Sequence, residues 1–231
     1  MTLSAQQLEN NRLDLLSRLA GDISHEIKNP LHAMVINLEL VRRKVEKGDA
    51  APALARVAII EEEIRKVHGL ANALLESLRP PRDTQSTCGF SAVLQELAPL
   101  IAARARGARV ELLFDAEPVA TVVPLAAHEL RLLLLNLADR AVRVTGSGGR
   151  LAIVVRADAD TVTIHVACDQ PPLDESERAW LHDHPVAAEH IDLGLRVVRH
   201  LLERHGGRIA ATNGADGRPG LAVTLPGAAS A

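Results

Sequence analysis

Aromatic residues, cysteine, an excess of one charge sign and long apolar runs are all scarce in this chain, and each shortage excludes something. Phe90, Phe114 and Trp180 are its only aromatic residues among 231, and tyrosine is absent. That leaves no stacking platform for bases or sugars. Cys88 and Cys168 are the only cysteines and stand in no metal-ligand spacing, which argues against a disulfide scaffold or a Cys-type zinc site and points to a reducing compartment. The 29 acidic and 26 basic residues give a net charge of -3, so no basic field exists to bind nucleic acid by bulk charge. No apolar run reaches the roughly 18 residues that would span a bilayer. The start, residues 1–14, shows no cationic stretch followed by an apolar block, so no signal peptide is expected. The expected location is cytoplasmic. What is present is 47% apolar residue, mostly Ala, Leu and Val, which is enough to fold one or two small domains.

The apolar spacing predicts a helix over residues 3 to 47, with Leu8, Leu15, Leu19, Ile23, Ile27, Leu31, Met34, Leu38, Val41 and Val45 mostly three or four apart. Pro30 predicts a local kink. Gly48 and Pro52 mark a turn, and a second helix follows over 52–79, stopped by Pro80 and Pro81. Two such helices form an antiparallel hairpin whose apolar stripes need a partner. A second copy would complete a four-helix bundle; the alternative is packing on the chain's own C-terminal half. Met34 and Leu38 are expected in the bundle core, although their spacing from His25 also suits a docking surface with Val35 and Arg42.

A polar linker is expected over 82–90. Beyond it the pattern predicts a helix at 90–106, strands at 109–114 and 120–123, and a strongly apolar helix at 126–144. A β-hairpin follows at 151–156 and 161–167, then an irregular segment at 170–190. A helix at 193–204 ends on a left-handed cap at Gly206-Gly207, and strands at 208–212 and 221–225 flank a Gly-rich turn. The fold class is therefore α+β: a helical hairpin over 1–80, then an α/β sandwich over 90–228 with helices on one sheet face.

The first helix contains Ser24-His25-Glu26-Ile27-Lys28-Asn29-Pro30-Leu31. His25 and Asn29, four apart, share a helix face, and Glu26 lies about 100° round from the histidine. A neutral imidazole on a bundle surface is a competent nucleophile toward phosphorus. A neighbouring carboxylate can orient the ring or take its proton, and an amide one turn away can align a water. A plain surface histidine is the other reading of the same residues.

This octapeptide resembles the phosphoacceptor motif of bacterial sensor histidine kinases, which lies on the first helix of a dimerising hairpin. The second half resembles the same family's ATP-binding domain: 132–141 is similar to its asparagine box, 166–173 to its first glycine box and 190–195 to its second. The resemblance implies His25 as phosphoacceptor, Glu26 and Asn29 as its catalytic partners, a homodimer, and response-regulator receiver domains as partners. It also resembles small histidine phosphotransferases built from such a hairpin plus a degenerate kinase domain.

The nucleotide positions depart from the family pattern. Asn136 is kept, but Arg140 stands where the pattern has a magnesium-ligating Asn, and a guanidinium only donates hydrogen bonds. Asp169 is kept and would contact adenine, while Pro171, Pro172 and Leu173 follow it in place of a glycine-rich run. Asp192 puts a carboxylate where glycine amides cradle phosphates, and Gly194 alone of those glycines remains. Weak or absent nucleotide binding is expected, with no tightly bound cofactor and no metal. His182, His184 and His190 lie in the irregular segment and read as remnants of a nucleotide lid, His32 as a surface group and Cys168 as a buried thiol. Three functions follow: phosphotransfer through His25 between receiver aspartates, with phosphatase activity aided by Asn29; an ATP-dependent kinase that phosphorylates His25; or a binding module with a vestigial histidine.

Overall fold

The computed structural model describes residues 3–79, 86–117, 121–158, 160–182, 187–214 and 216–227. Helix α1 spans Ala5–Glu46 and opens with a reciprocal cap in which Ser4 Oγ accepts from the Gln7 amide and Gln7 Oε1 from the Ser4 amide. It continues through Pro30. Gly48, at φ 75°, makes the left-handed turn that starts α2, Ala50–Leu78. The two pack antiparallel along their length.

The hairpin has two unlike halves. Near its open end Leu15, Leu16, Leu19 and Ile23 of α1 and Leu70 and Ala73 of α2 are buried. Helices α3 (Phe90–Gly107), α4 (Ala127–Thr145) and α6 (Leu193–Arg204) supply the covering surface. Toward the turn, among the described residues, nothing covers Val35, Leu38, Leu54 and Ile64, which are 51–69% exposed. Packing on the C-terminal half therefore accounts for one end only. Met34 is half-buried and Leu38 is 56% exposed in the single chain; their expected place in the core of a four-helix bundle depends on a second copy.

The C-terminal part is a five-stranded sheet in the order β2-β4-β5-β7-β6, made of Glu111–Ala116, Arg150–Ala157, Thr161–Cys168, Pro219–Pro226 and Arg208–Asn213. Strands β2 and β4 run parallel and every other pair antiparallel. Alternate residues of the central strands, such as Ile153, Val155, Val162, Ile164, Val223 and Leu225, turn into one core with α3, α4 and α6, so the helices lie on one sheet face. Each fully buried aliphatic side chain there contributes about 1.5–3 kcal/mol.

Two expectations need correction. Cys88–Gly89, expected as linker, forms strand β1, paired antiparallel with Val122–Val123 (β3). Residues 170–190, expected to be irregular, contain helix α5, Glu175–Leu181, and a 3-10 turn at Ala188–His190. Asp174 caps α5 by accepting from the Glu177 amide at 2.8 Å while Glu177 accepts from the Asp174 amide at 3.0 Å. That Asp-x-x-Glu spacing was a readable start signal. Positions 80–85 (with the expected helix stop at Pro80 and Pro81), 118–120 and 183–186, including His184, lie outside the described residues.

Candidate functional site

His25 and Asn29 are both exposed on one face of α1. Glu26 is half-buried, and its Oε2 accepts from Arg106 Nε of α3 at 2.6 Å. Pro30 has no amide to give to the Glu26 carbonyl four residues earlier, so the backbone beside His25 keeps an acceptor without its usual helical donor. A cavity of about 560 Å³ opens between α1, α2 and α3 against Glu26 and Asn29, with Arg65, Lys66 and Arg106 on its walls. The segment His25 to Asn29 thus lies where the hairpin meets the second part of the chain. Its accessible imidazole, carboxamide and tethered carboxylate suit nucleophilic attack on phosphorus. His32 is exposed as well.

A connected set of ion pairs runs from this helix into the nucleotide-box positions. Asp22 of α1 pairs with Arg104 of α3 at 3.1 Å. Arg104 also donates to the buried Asp139 of α4 at 2.9 Å, and Asp139 further accepts from Arg18 at 3.2 Å and Arg143 at 3.1 Å. Arg143 reaches on to Asp192 at 3.0 Å. Three guanidinium groups around one buried carboxylate offset its loss of water.

Arg140 is buried on α4. It donates from Nε and Nη2 to the Pro172 carbonyl at 2.9 and 2.6 Å, and from Nη2 to Glu177 of α5 in a short ion pair. Asp192 caps α6 by accepting from the Leu195 amide at 3.1 Å and lies 3.6 Å from Arg140 Nη1. Burial alone would raise the Asp192 carboxyl, but Arg143, the Leu195 amide and Arg140 outweigh it and hold it below the usual carboxylate range. Asp169 accepts from the Arg150 amide at 2.8 Å and lies 3.5 Å from Arg218; that amide above all holds its carboxyl low. A Cβ on Gly194 would sit 2.7 Å from Asn136 Oδ1 and 3.0 Å from Asp192 Oδ1, so this glycine makes room for the chain's own side chains. Asn136 itself is buried and exchanges hydrogen bonds with Asn11 of α1.

A magnesium-chelated triphosphate needs oxygen ligands at one end and free amide donors at the other. Position 140 holds a guanidinium already tied to Glu177, position 192 holds a carboxylate, and Pro171 and Pro172 have no amide hydrogen. In this arrangement the residues do not fit that group. His182 and His190 are exposed, and among the described residues no group of three His, Cys, Asp or Glu side chains is placed to hold a metal ion. Cys168 is buried at the end of β5, and burial pushes its thiol pKa up. No helix among the described residues is long and apolar enough to cross a membrane.

Arg104, Arg106, Asp22, Asn11 and Glu177 escape a reading by sequence motif. Asn11 left a signal as a polar residue between Leu8 and Leu15 on an apolar stripe, and Glu177 left one as the fourth residue of a capping box begun by Asp174.

Residues 15–80 match the model of the His Kinase A (phospho-acceptor) domain, and residues 126–228 that of the histidine kinase-, DNA gyrase B- and HSP90-like ATPase. The sensor histidine kinase ZraS of Klebsiella oxytoca is 27% identical over 203 residues, covering 87% of this chain and 44% of that protein. Its counterpart in Salmonella typhimurium is 25% identical over 201 residues, covering 86% and 43%. The chain spans less than half the length of these relatives. Among solved structures, the catalytic domain of histidine kinase ThkA aligns with a TM-score of 0.51 at 20% identity, covering 61% of this chain and 95% of that one, a likeness of fold. These matches do not bear out the expectation, drawn from the altered boxes, that ATP-dependent autokinase activity is unlikely, because the ATPase model extends across those boxes. With a phosphoacceptor hairpin followed by an ATPase-type sandwich, in that order, the chain is a bacterial two-component histidine kinase core.

Proposed function

We propose that the hairpin, residues 1–80, carries a phosphoryl group on His25 and exchanges it with the aspartyl phosphate of response-regulator receiver domains, while residues 90–228 form a degenerate ATPase-like domain. The observation that carries this reading is the contrast between the two halves. His25 is open to a partner, whereas Arg140 and Asp192 are committed to internal ion pairs at the nucleotide positions.

In the transfer, an imidazole nitrogen of His25 attacks the phosphorus of the receiver's acyl phosphate. The N–P bond forms as the P–O bond to the receiver's carboxylate breaks, and that carboxylate leaves with the electron pair. The ring proton on the other nitrogen passes to a base, and Glu26 is the nearest carboxylate in sequence. Asn29, one turn along the same face, aligns a water for hydrolysis of the receiver's phosphate. The exposed stripe of Val35, Leu38, Leu54 and Ile64 is covered by a second copy, giving the four-helix bundle of a homodimer.

A second reading, an ATP-dependent kinase that phosphorylates His25, is favoured by the ATPase model and by relatives that are sensor histidine kinases. One experiment separates the two. Incubation with a phosphorylated receiver domain should label the wild type and leave His25→Ala unlabelled; labelling of the variant overturns the proposal. Labelling of His25 by radioactive ATP alone, with no receiver present, establishes the kinase instead. Asn29→Ala should slow receiver dephosphorylation and spare transfer.

A further inference from the structure

The face of α1 that carries His25 also carries Lys28, Asn29 and His32, and all four are exposed. At about 100° per residue, Asn29 stands about 40° to one side of the histidine and Lys28 about 60° to the other. Glu26 is on the Asn29 side, where it meets Arg106 of α3, so Lys28 flanks the imidazole on the side away from α3. Side chains on a helix lean toward its N-terminus, which brings the Lys28 stem back over the turn that holds His25. Cβ atoms three residues apart on a helix are roughly 5–6 Å from each other, within reach of a flexible four-carbon stem.

This charge is unspent. Six lysine or arginine residues lie on α1 and three on α2. Seven of these nine pair with a carboxylate, and Arg56 donates to Asn37 Oδ1 at 3.4 Å. Lys28 is the remaining one, with no hydrogen bond or ion pair of its side chain among the described residues. The reason is local. Its helix neighbours three and four residues away are Ser24, His25, Leu31 and His32, none of them acidic. The acids nearest in sequence are taken, Asp22 by Arg104 and Glu26 by Arg106. A phosphoryl group arriving on His25 would bring nearly two negative charges to this spot at neutral pH.

We propose that Lys28 is a further catalytic residue, its ammonium holding the oxygens of the phosphoryl group as it passes between the receiver's aspartate and His25. This role rests on the phosphotransfer reading above. A phosphoryl group in transfer spreads its charge over three equatorial oxygens, so its passage depends on positioning and charge more than on covalent help. The ammonium forms and breaks no bond and keeps its three protons, while the N–P and P–O bonds change as already described. It meets its partner only when the phosphoryl group is in transfer or on the ring. Such an interaction lowers the barrier without tightening the docking of the receiver.

The test compares the full chain with Lys28→Met and Lys28→Arg by rapid quench, over a range of concentrations of a labelled phosphorylated receiver. Methionine matches lysine in helix propensity, and a substitution at this exposed position leaves the fold intact. Expected for Lys28→Met is a maximal transfer rate about fivefold lower, with the half-saturating receiver concentration within about twofold of wild type. Lys28→Arg should restore most of the rate. In parallel, chains phosphorylated chemically with phosphoramidate are titrated by phosphorus NMR, the His25 resonance being the one that His25→Ala lacks. An adjacent ammonium favours the dianion, so the second phosphoryl pKa should lie about half a unit higher in Lys28→Met. An unchanged maximal rate, a loss confined to half-saturation, or the same titration in both chains would each overturn the inference. A wild type that takes no label from the receiver sinks the phosphotransfer reading instead, and the titration then still decides whether Lys28 grips a phosphoryl group on His25.

Discussion

Asn11 of α1 and Asn136 of α4 are buried against each other and exchange two side-chain hydrogen bonds, at 3.1 and 2.8 Å, across 125 residues of sequence. Asn136 Nδ2 also reaches the Leu132 carbonyl at 2.8 Å. The asparagine kept from the nucleotide box is thus spent on joining the hairpin to the sandwich. Asn11→Ala should destabilise the chain by about 1–3 kcal/mol, because it strands the buried Asn136 carboxamide. Urea unfolding measures it, and the double variant with Asn136→Ala should cost less than the two single ones together. Gly194→Ala should also destabilise, since its Cβ would press on Asn136 Oδ1.

Arg140→Met removes the partner of a buried carboxylate, Glu177, together with both donors to the Pro172 carbonyl. Breaking such a pair from one side costs about 3–5 kcal/mol. A large fall in Tm with no gain of nucleotide binding is expected; calorimetric titration with ATP checks the second half.

The depressed Asp192 carboxyl makes stability depend on acid. Its contribution is fully present above the ordinary carboxylate value of about 4 and is lost as pH falls through the lower folded-state value. Asp192→Asn should therefore lower the urea midpoint at neutral pH, and the gap to wild type should close in strong acid. A gap that stays constant with pH would assign Asp192 to helix capping alone.

Arg106 is 57% exposed, so Arg106→Ala should cost less than about 1 kcal/mol of stability. It also releases Glu26 from its ion pair with Arg106, leaving the carboxylate free to take the His25 proton. On the proposed mechanism the rate of phosphoryl transfer from receiver to His25 should rise, measured by rapid quench with a labelled receiver, while Glu26→Gln should slow it.

Leu38→Glu places a charge in the exposed stripe near the hairpin turn. Light scattering should show dimers of the wild type and monomers of the variant, with the far-ultraviolet dichroism unchanged because Leu38 packs in no core of its own chain.

Local pattern carried much of this protein. The three- and four-residue spacing of leucines placed α1, α2 and α4, the Gly206-Gly207 cap closed α6 at Arg204, and alternation placed the strands around 151–168. Helices and strands answer to neighbours a few residues away, so their signals stand in the sequence itself. The string from Ser24 to Leu31, singled out for its resemblance to a phosphoacceptor motif, lies on α1 as its spacing predicted. Helix α5 was legible in principle, through its capping box, but was hidden by the surrounding Pro and His.

What the fold alone decided was the destination of the charges. Nothing in the string around Glu26 names Arg106, 80 residues on, and nothing around Arg140 names Glu177 rather than a nucleotide. Nor does spacing tell which half of the hairpin stripe meets α3 and which half stays bare. Such pairings depend on how α1, α3 and α4 cross, and a long-range contact leaves no periodic trace along the chain. The residues determined the parts; their packing determined that the helix bearing His25 is tied to α3 and α4 through Asp22, Arg18 and Asn11, while Arg140 and Asp192 pair within the second part of the chain.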